Sequence, residues 1–159
     1  MHTQQAQSKI DQRLTAALRE RHLRVTSQRL LVHRTLCSRV QHMTAEQVLG
    51  AVSASLPGIS LPTVYATLEL LERLGLVRRL ATGTGAVLFD SRVEQHAHTI
   101  CRSCAVTSDL DGAPAPRSVL ARASAAGFSP DHAQLVVWGL CPNCAAEPQH
   151  APVAPARAA

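Results

Sequence analysis

No run of the 159-residue chain approaches the roughly 18 apolar residues that a membrane helix needs. The start, Met1 to Gln12, lacks the apolar stretch of a secretory leader, and no internal repeat runs along the chain. A general-acid or nucleophile motif of the kind that marks a hydrolase is also missing. These absences count against membrane, exported and repeat proteins, and leave a cytoplasmic protein as the expectation. The length is too short for a large multidomain enzyme and suits one compact domain or two small ones. With 46% hydrophobic and 17% charged residues, the chain can collapse around a core instead of staying a solvated disordered polymer.

Positive charge is concentrated in one part. Residues 1–90 hold 11 Lys+Arg against 6 Asp+Glu, a net of +5, whereas residues 91–159 hold 5 of each. The excess fits a polyanion partner, because Lys and Arg displace counterions from a phosphate backbone. It fits a merely soluble basic surface equally well.

The first part has the periodicity of short amphipathic helices. Ile10, Leu14, Ala17 and Leu18 fall on one helical face, and Thr26 is placed to cap a helix through Leu31, Val32, Leu36 and Val40. Thr44 and Gln47 match a capping box before Val48, Leu49, Val52 and Leu56, a helix expected to stop at Pro57-Gly58. Ser60 caps a fourth helix with Pro62 in its first turn, an apolar stripe of Val64, Leu68 and Leu71, and Gly75 at its end. Leu76 to Leu80 and Ala86 to Asp90 have strand character about the turn Thr82-Gly83-Thr84-Gly85. Helices followed by such a hairpin describe a winged helix-turn-helix.

After the polar connector Ser91 to Gln95 the character changes. His96 to Ile100, Ala105 to Asp109 and Gln134 to Trp138 are expected strands, with a helix over Arg117 to Ala126, which makes a small α/β unit. The Ala- and Pro-rich tail 145–159 offers no apolar periodicity and is expected to be disordered. The overall expectation is an α+β chain: a winged-helix domain over 1–90, a hinge over 91–95, a second domain over 96–144, and the tail.

Cys101, Cys104, Cys141 and Cys144 form C-x2-C-x36-C-x2-C. Two thiolates three residues apart can turn towards one ion, and two such pairs complete the tetrahedral sulfur shell that zinc accepts. Four sulfur ligands leave no open position, so the ion would staple a small domain and do no catalysis. A redox dithiol is the competing account, but the strands expected around Cys101 and Cys104 are not its usual setting at the start of a helix. His96 and His98 alternate in an expected strand, so both imidazoles project from one face, and Asp90 precedes them by a short connector. Nitrogen and carboxylate donors suit iron(II), manganese(II) or zinc. Two exposed or structural histidines would give the same pattern.

Taken in order, these motifs resemble the ferric-uptake-regulator family of bacterial metal-responsive repressors. The residues that carry the likeness are Arg24-Val-Thr26-Ser-Gln28-Arg29, His42-Met-Thr44-Ala45-Glu46, Pro62-Thr63-Val64-Tyr65, Gly75-Leu76-Val77, Phe89-Asp90, His96-Ala-His98, Cys101-Arg-Ser-Cys104 and Gly139-Leu-Cys141-Pro-Asn-Cys144. The resemblance implies an N-terminal DNA-binding domain, a hinge and a C-terminal dimerisation domain with the four-cysteine zinc site. It assigns a regulatory iron(II) or manganese(II) site, with zinc an alternative, to His42, Asp90, His96, His98 and Asp109. It also implies a homodimer on a palindromic double-stranded operator, with no membrane partner. Arg24 and Arg29 are expected at the DNA backbone, and Thr63 and Tyr65 belong to the recognition helix over Ser60 to Leu74, with Tyr65 at a base edge. Ala66 stands where many relatives carry a polar residue, so base readout is expected to differ from the common pattern.

Aspartates at both oxygen positions are most like the peroxide-sensing branch, in which oxidation of a histidine ligand such as His42 or His96 releases DNA. An iron-, manganese- or zinc-uptake regulator without peroxide sensing is the alternative within the family, and a metalloenzyme using the His/Asp site is the alternative outside it. Lone Cys37 has the place of a small buried hydrophobe more than of a sensor thiol.

Overall fold

The computed structural model describes residues 2–38, 42–83, 85–113 and 117–146. Its helices and its two separate sheets make an α+β fold, and the chain divides into two compact units. The first runs to Ala81 and resumes over Ala86–Val93; the second takes Thr82–Gly85 and the described residues from Glu94 onwards.

In the first unit, α1 (His2–Glu20), α2 (Ser27–Ser38), α3 (Ala45–Val52) and α4 (Leu61–Arg73) precede a hairpin of β1 (Arg78–Ala81) and β2 (Val87–Asp90). Their apolar faces meet in one core. Leu14 and Leu18 of α1, Val32 and Leu36 of α2, Val48 and Val52 of α3, and Val64, Leu68 and Leu71 of α4 are all buried there with Phe89 of β2. Each such side chain, fully buried, contributes about 1.5–3 kcal/mol.

The helix starts are set locally. The Thr26 hydroxyl accepts from the Arg29 amide at 3.3 Å, Thr44 and Gln47 complete a capping box, and Ser60 accepts from the Thr63 amide. Gly75, at φ 67°, lets the Leu76 amide return to the Leu71 carbonyl and closes α4. Two boundaries in this unit differ from expectation by more than one residue. The third helix ends at Val52 and not at Pro57-Gly58, because Ser53 turns its hydroxyl onto the Leu49 carbonyl at 2.5 Å and the chain leaves in turns. The first strand starts at Arg78, since Leu76 and Val77 are drawn into the helical core.

The second unit contains β3 (Ala97–Cys101), β4 (Thr107–Leu110), α5 (Arg117–Ala125), β5 (Leu135–Gly139) and α6 (Pro142–Ala146). The strand order is β4-β3-β5, with β4 antiparallel and β5 parallel to β3. Its apolar interior is thin: Ala97, Ile100 and Cys101 are buried, while α5 and α6 bury no residue among those described. The expected tail is corrected at its start, because Ala145 and Ala146 belong to α6; the rest, 147–159, lies outside the described residues, as does Val40. Among the described residues no helix is long and apolar enough to cross a membrane.

Candidate metal centres and nucleic-acid interface

The first cysteine pair sits in the tight turn between β3 and β4. Ala105, at φ 59°, takes the left-handed conformation that a non-glycine residue rarely adopts, and its amide returns to the Cys101 carbonyl at 2.8 Å. The second pair begins at Cys141, beside the end of β5, and continues into α6 with Cys144. Pairing of β3 with β5 aligns Cys101 with Gly139 and so brings the two pairs together.

All four Sγ atoms lie within 4.8 Å of one another, and those of Cys104 and Cys141 are 3.8 Å apart. A tetrahedral shell with Zn–S bonds of about 2.3 Å requires S···S separations of about 3.8 Å. The donor set therefore fits zinc. Backbone amides of Cys104 and then Cys141 lower the pKa of the Cys101 thiol to about 6. Cys144 goes the other way: the nearby Ser103 hydroxyl lowers it, yet the neighbouring thiols of Cys141 and Cys104 carry it up to about 12. Four adjacent thiolates repel, and a divalent cation is what would hold all of them ionised.

The nitrogen and oxygen donors fall into two groups, one per unit. In the first unit an isolated bridge joins Met43 to Phe89, with the Phe89 amide donating to the Met43 carbonyl at 2.8 Å. That bridge sets His42 beside Asp90, Nε2 to Oδ2 at 3.7 Å. Asp90 is itself held, its Oδ1 accepting from the Arg92 amide at 2.8 Å.

In the second unit His98 pairs in register with Asp109 across β3 and β4, and His96 just precedes β3. The two imidazoles are 4.3 Å apart, centroid to centroid, and their Nε2 atoms lie 3.2 Å and 3.9 Å from Asp109 Oδ1. His96 Nδ1 faces the Glu94 carbonyl at 2.8 Å. A carbonyl only accepts, so Nδ1 is the donor in that contact, and the ring is held with Nε2 turned towards Asp109 Oδ1. Two imidazole nitrogens and a carboxylate oxygen gathered this closely are a donor set that fits a divalent ion.

Of the residues expected at DNA, Arg24 is exposed after α1, and Arg29 of α2 donates to its carbonyl at 2.5 Å. Thr63 is turned to the helix start, its hydroxyl 2.9 Å from that of Ser60. Tyr65, 39% exposed, flanks the buried stripe of Val64, Leu68 and Leu71 on α4, and Ala66, Glu69 and Arg73 are exposed beyond it. Its hydroxyl donates to Glu46 Oε1 at 3.0 Å.

A sequence profile described as the ferric uptake regulator family matches residues 20–138. The chain belongs to that family. It is 38% identical over 128 residues to the transcriptional regulator FurA of Mycobacterium tuberculosis, covering 80% of this chain and 86% of that protein. The peroxide-responsive repressor PerR of Staphylococcus epidermidis is 30% identical over 132 residues, covering 83% of this chain and 88% of the relative. Among solved structures, the ferric uptake regulator of Pseudomonas aeruginosa with manganese superposes with a TM-score of 0.63 at 28% identity, over 80% of this chain and 97% of that one.

Membership in the ferric uptake regulator family makes the chain a metal-responsive transcriptional regulator and not the metalloenzyme weighed as an alternative. The regulator also holds features that its sequence did not announce. Glu46 carried no assigned role, because its partner Tyr65 lies on another helix. His33 of α2 is buried, and its pKa is lowered to about 4 by burial first and by Arg13 second, against a raising effect of Asp11. Cys37 lies one turn on, its Sγ 3.5 Å from His33 Nε2, and burial raises its thiol pKa, which suits packing and not a reactive thiolate.

Proposed function

We propose that this regulator is a metal-dependent, DNA-binding repressor that acts as a homodimer on a palindromic operator and responds to peroxide through an iron(II) or manganese(II) site. Zinc at Cys101, Cys104, Cys141 and Cys144 staples the second domain. His42, Asp90, His96, His98 and Asp109 hold the regulatory ion, which brings donors of the winged domain to donors of the dimerisation domain. Metal and DNA then strengthen each other's binding, since linkage is reciprocal.

The observation that carries this reading is the convergence of His96, His98 and Asp109 on one point, with the nitrogen of His96 set against a carboxylate oxygen. A set of imidazoles and carboxylates without a thiolate favours iron(II) or manganese(II). Iron(II), when bound, supplies reactivity towards peroxide; the side chains whose alteration would weaken the site are His42 and His96.

The basic first unit supports DNA as the partner, with α4 entering the major groove, Tyr65 and Thr63 on that helix, and Arg24 and Arg29 at phosphates. A homodimer is supported by the second unit, where Leu110, Phe128, Leu135, Val137, Trp138 and Leu140 are exposed while little is buried. A DNA partner places the protein in the cytoplasm.

The test is DNA binding by anaerobically prepared protein, with metal content measured and with iron(II) or manganese(II) supplied, before and after peroxide. Binding is expected to need metal, and to be lost after peroxide in the iron form alone. Operator binding that survives chelation would end the metal-dependent reading. Iron-loaded protein that keeps DNA after peroxide would instead leave a metal-uptake regulator.

A further inference from the structure

We propose that Glu46 is a positioning residue for base readout, its carboxylate holding the Tyr65 hydroxyl and so fixing the aromatic ring that faces the operator. The proposal rests on the reading of α4 as the recognition helix. The contact joins residues 19 apart in sequence, on the two helices that form the turn motif. Glu46 is exposed and Tyr65 keeps 39% of its surface exposed, so the contact lies at the outer edge of the two helices, where the carboxylate fixes the hydroxyl end of the ring.

Glu46 is well held for this task. It stands in the first turn of α3, between the capping-box residues Thr44 and Gln47, where the helix N-terminus favours a carboxylate. Its pKa is lowered by its own backbone amide first, then by Thr44 and Tyr65, so it stays ionised and accepts a charge-assisted hydrogen bond.

Two consequences distinguish this role from simple helix support. With its hydroxyl engaged by the protein, Tyr65 presents ring carbons to the groove, which suits contact with a thymine methyl better than a hydrogen bond to phosphate. A carboxylate on a DNA-facing surface also repels phosphate, and so opposes every duplex alike. What it adds is discrimination, because an ordered ring loses less freedom on reading the right base.

The experiment uses the full metal-loaded chain, an operator selected from random duplexes by that protein, the same operator with deoxyuridine in place of thymidine, and an unselected duplex. Glu46→Ala is expected to lower the preference for operator over unselected duplex by about three- to ten-fold, while binding to the unselected duplex stays equal or tightens. Glu46→Gln, whose amide oxygen still accepts from the hydroxyl, restores most of the preference. Tyr65→Phe loses as much as Glu46→Ala, and the double variant loses no more than either. Removing the thymine methyl weakens the unaltered protein more than Glu46→Ala.

A Glu46→Ala protein that keeps its preference within about two-fold, or additive losses in the double variant, overturns the proposal. So does a Glu46→Gln protein no better than Glu46→Ala. Glu46→Gln and Tyr65→Phe leave α3 and its cap intact, so they decide the matter even if Glu46→Ala lowers the melting temperature. Tyr65→Ala separates the two levels. Unchanged operator binding there removes the base-contact reading itself; lost binding there with a silent Glu46→Ala removes only the positioning role.

Discussion

The two units of this chain are held together by different physics. The first buries leucines, valines and Phe89 from four helices and a hairpin in one cluster, so apolar burial accounts for its order. The second buries little beyond Ala97, Ile100 and Cys101, leaves both its helices without a buried residue, and keeps Val137, Trp138 and Leu140 exposed. A small unit with so thin an interior needs a metal or a second copy. The contrast matches the division of labour proposed above: one unit carries a self-sufficient reading head, and the other is built around ions and a partner.

The contrast breaks most sharply at the cysteines. Zinc removal, by chelation or by Cys141→Ser, is expected to melt the second unit while the helical signal of the first persists, a loss on the order of 10 kcal/mol of metal-linked folding free energy. Circular dichroism with a thiol titration measures both. A single transition that ignores the chelator would falsify the division.

Next in size is the opposite perturbation. Leu68→Ala, in the centre of the first core, is expected to cost about 2–5 kcal/mol in a denaturant melt of that unit and to leave zinc content unchanged.

A pH titration sharpens the picture of the helical core. Buried His33 has its pKa lowered from 6.5 to about 4, so the unfolded chain takes up the proton first and acid penalises the folded state. Stability from this group is intact above about pH 6.5 and falls by up to roughly 3 kcal/mol by about pH 4. His33→Leu should flatten that part of the profile; an unchanged slope would assign it to the carboxylates. The smallest effect is expected at a cap. Thr44→Ala removes the acceptor for the Gln47 amide and should cost about 1 kcal/mol, read as a lowered melting temperature of the first unit alone.

The features legible in sequence are those whose cause is local. Thr26, Thr44 and Ser60 cap the helices expected of them, since a cap needs only an acceptor within three residues of an amide. The paired spacing of the cysteines announced a sulfur shell, and alternation put His96 and His98 on one side. His42 and Asp109 were accessible only through the family resemblance, because what makes them donors is a neighbour across a bridge or a strand pair. Helix α6 escaped notice, being one turn with no apolar face. The burial of His33 was hidden as well: a histidine has no periodicity of its own, and its desolvation comes from the core around it.

By itself the sequence determined the capped starts of α2, α3 and α4, the glycine stop of α4, the apolar stripes and the presence of a thiol tetrad, because hydrogen-bond reach, backbone freedom and helical spacing all act within a few residues. Only the tertiary structure decided that β5 runs parallel beside β3, that Asp109 faces His98, that His42 comes beside Asp90, and that Glu46 holds Tyr65. Those pairings join residues far apart in the chain, and their energy exists only once burial and strand register have brought the partners within a few ångströms.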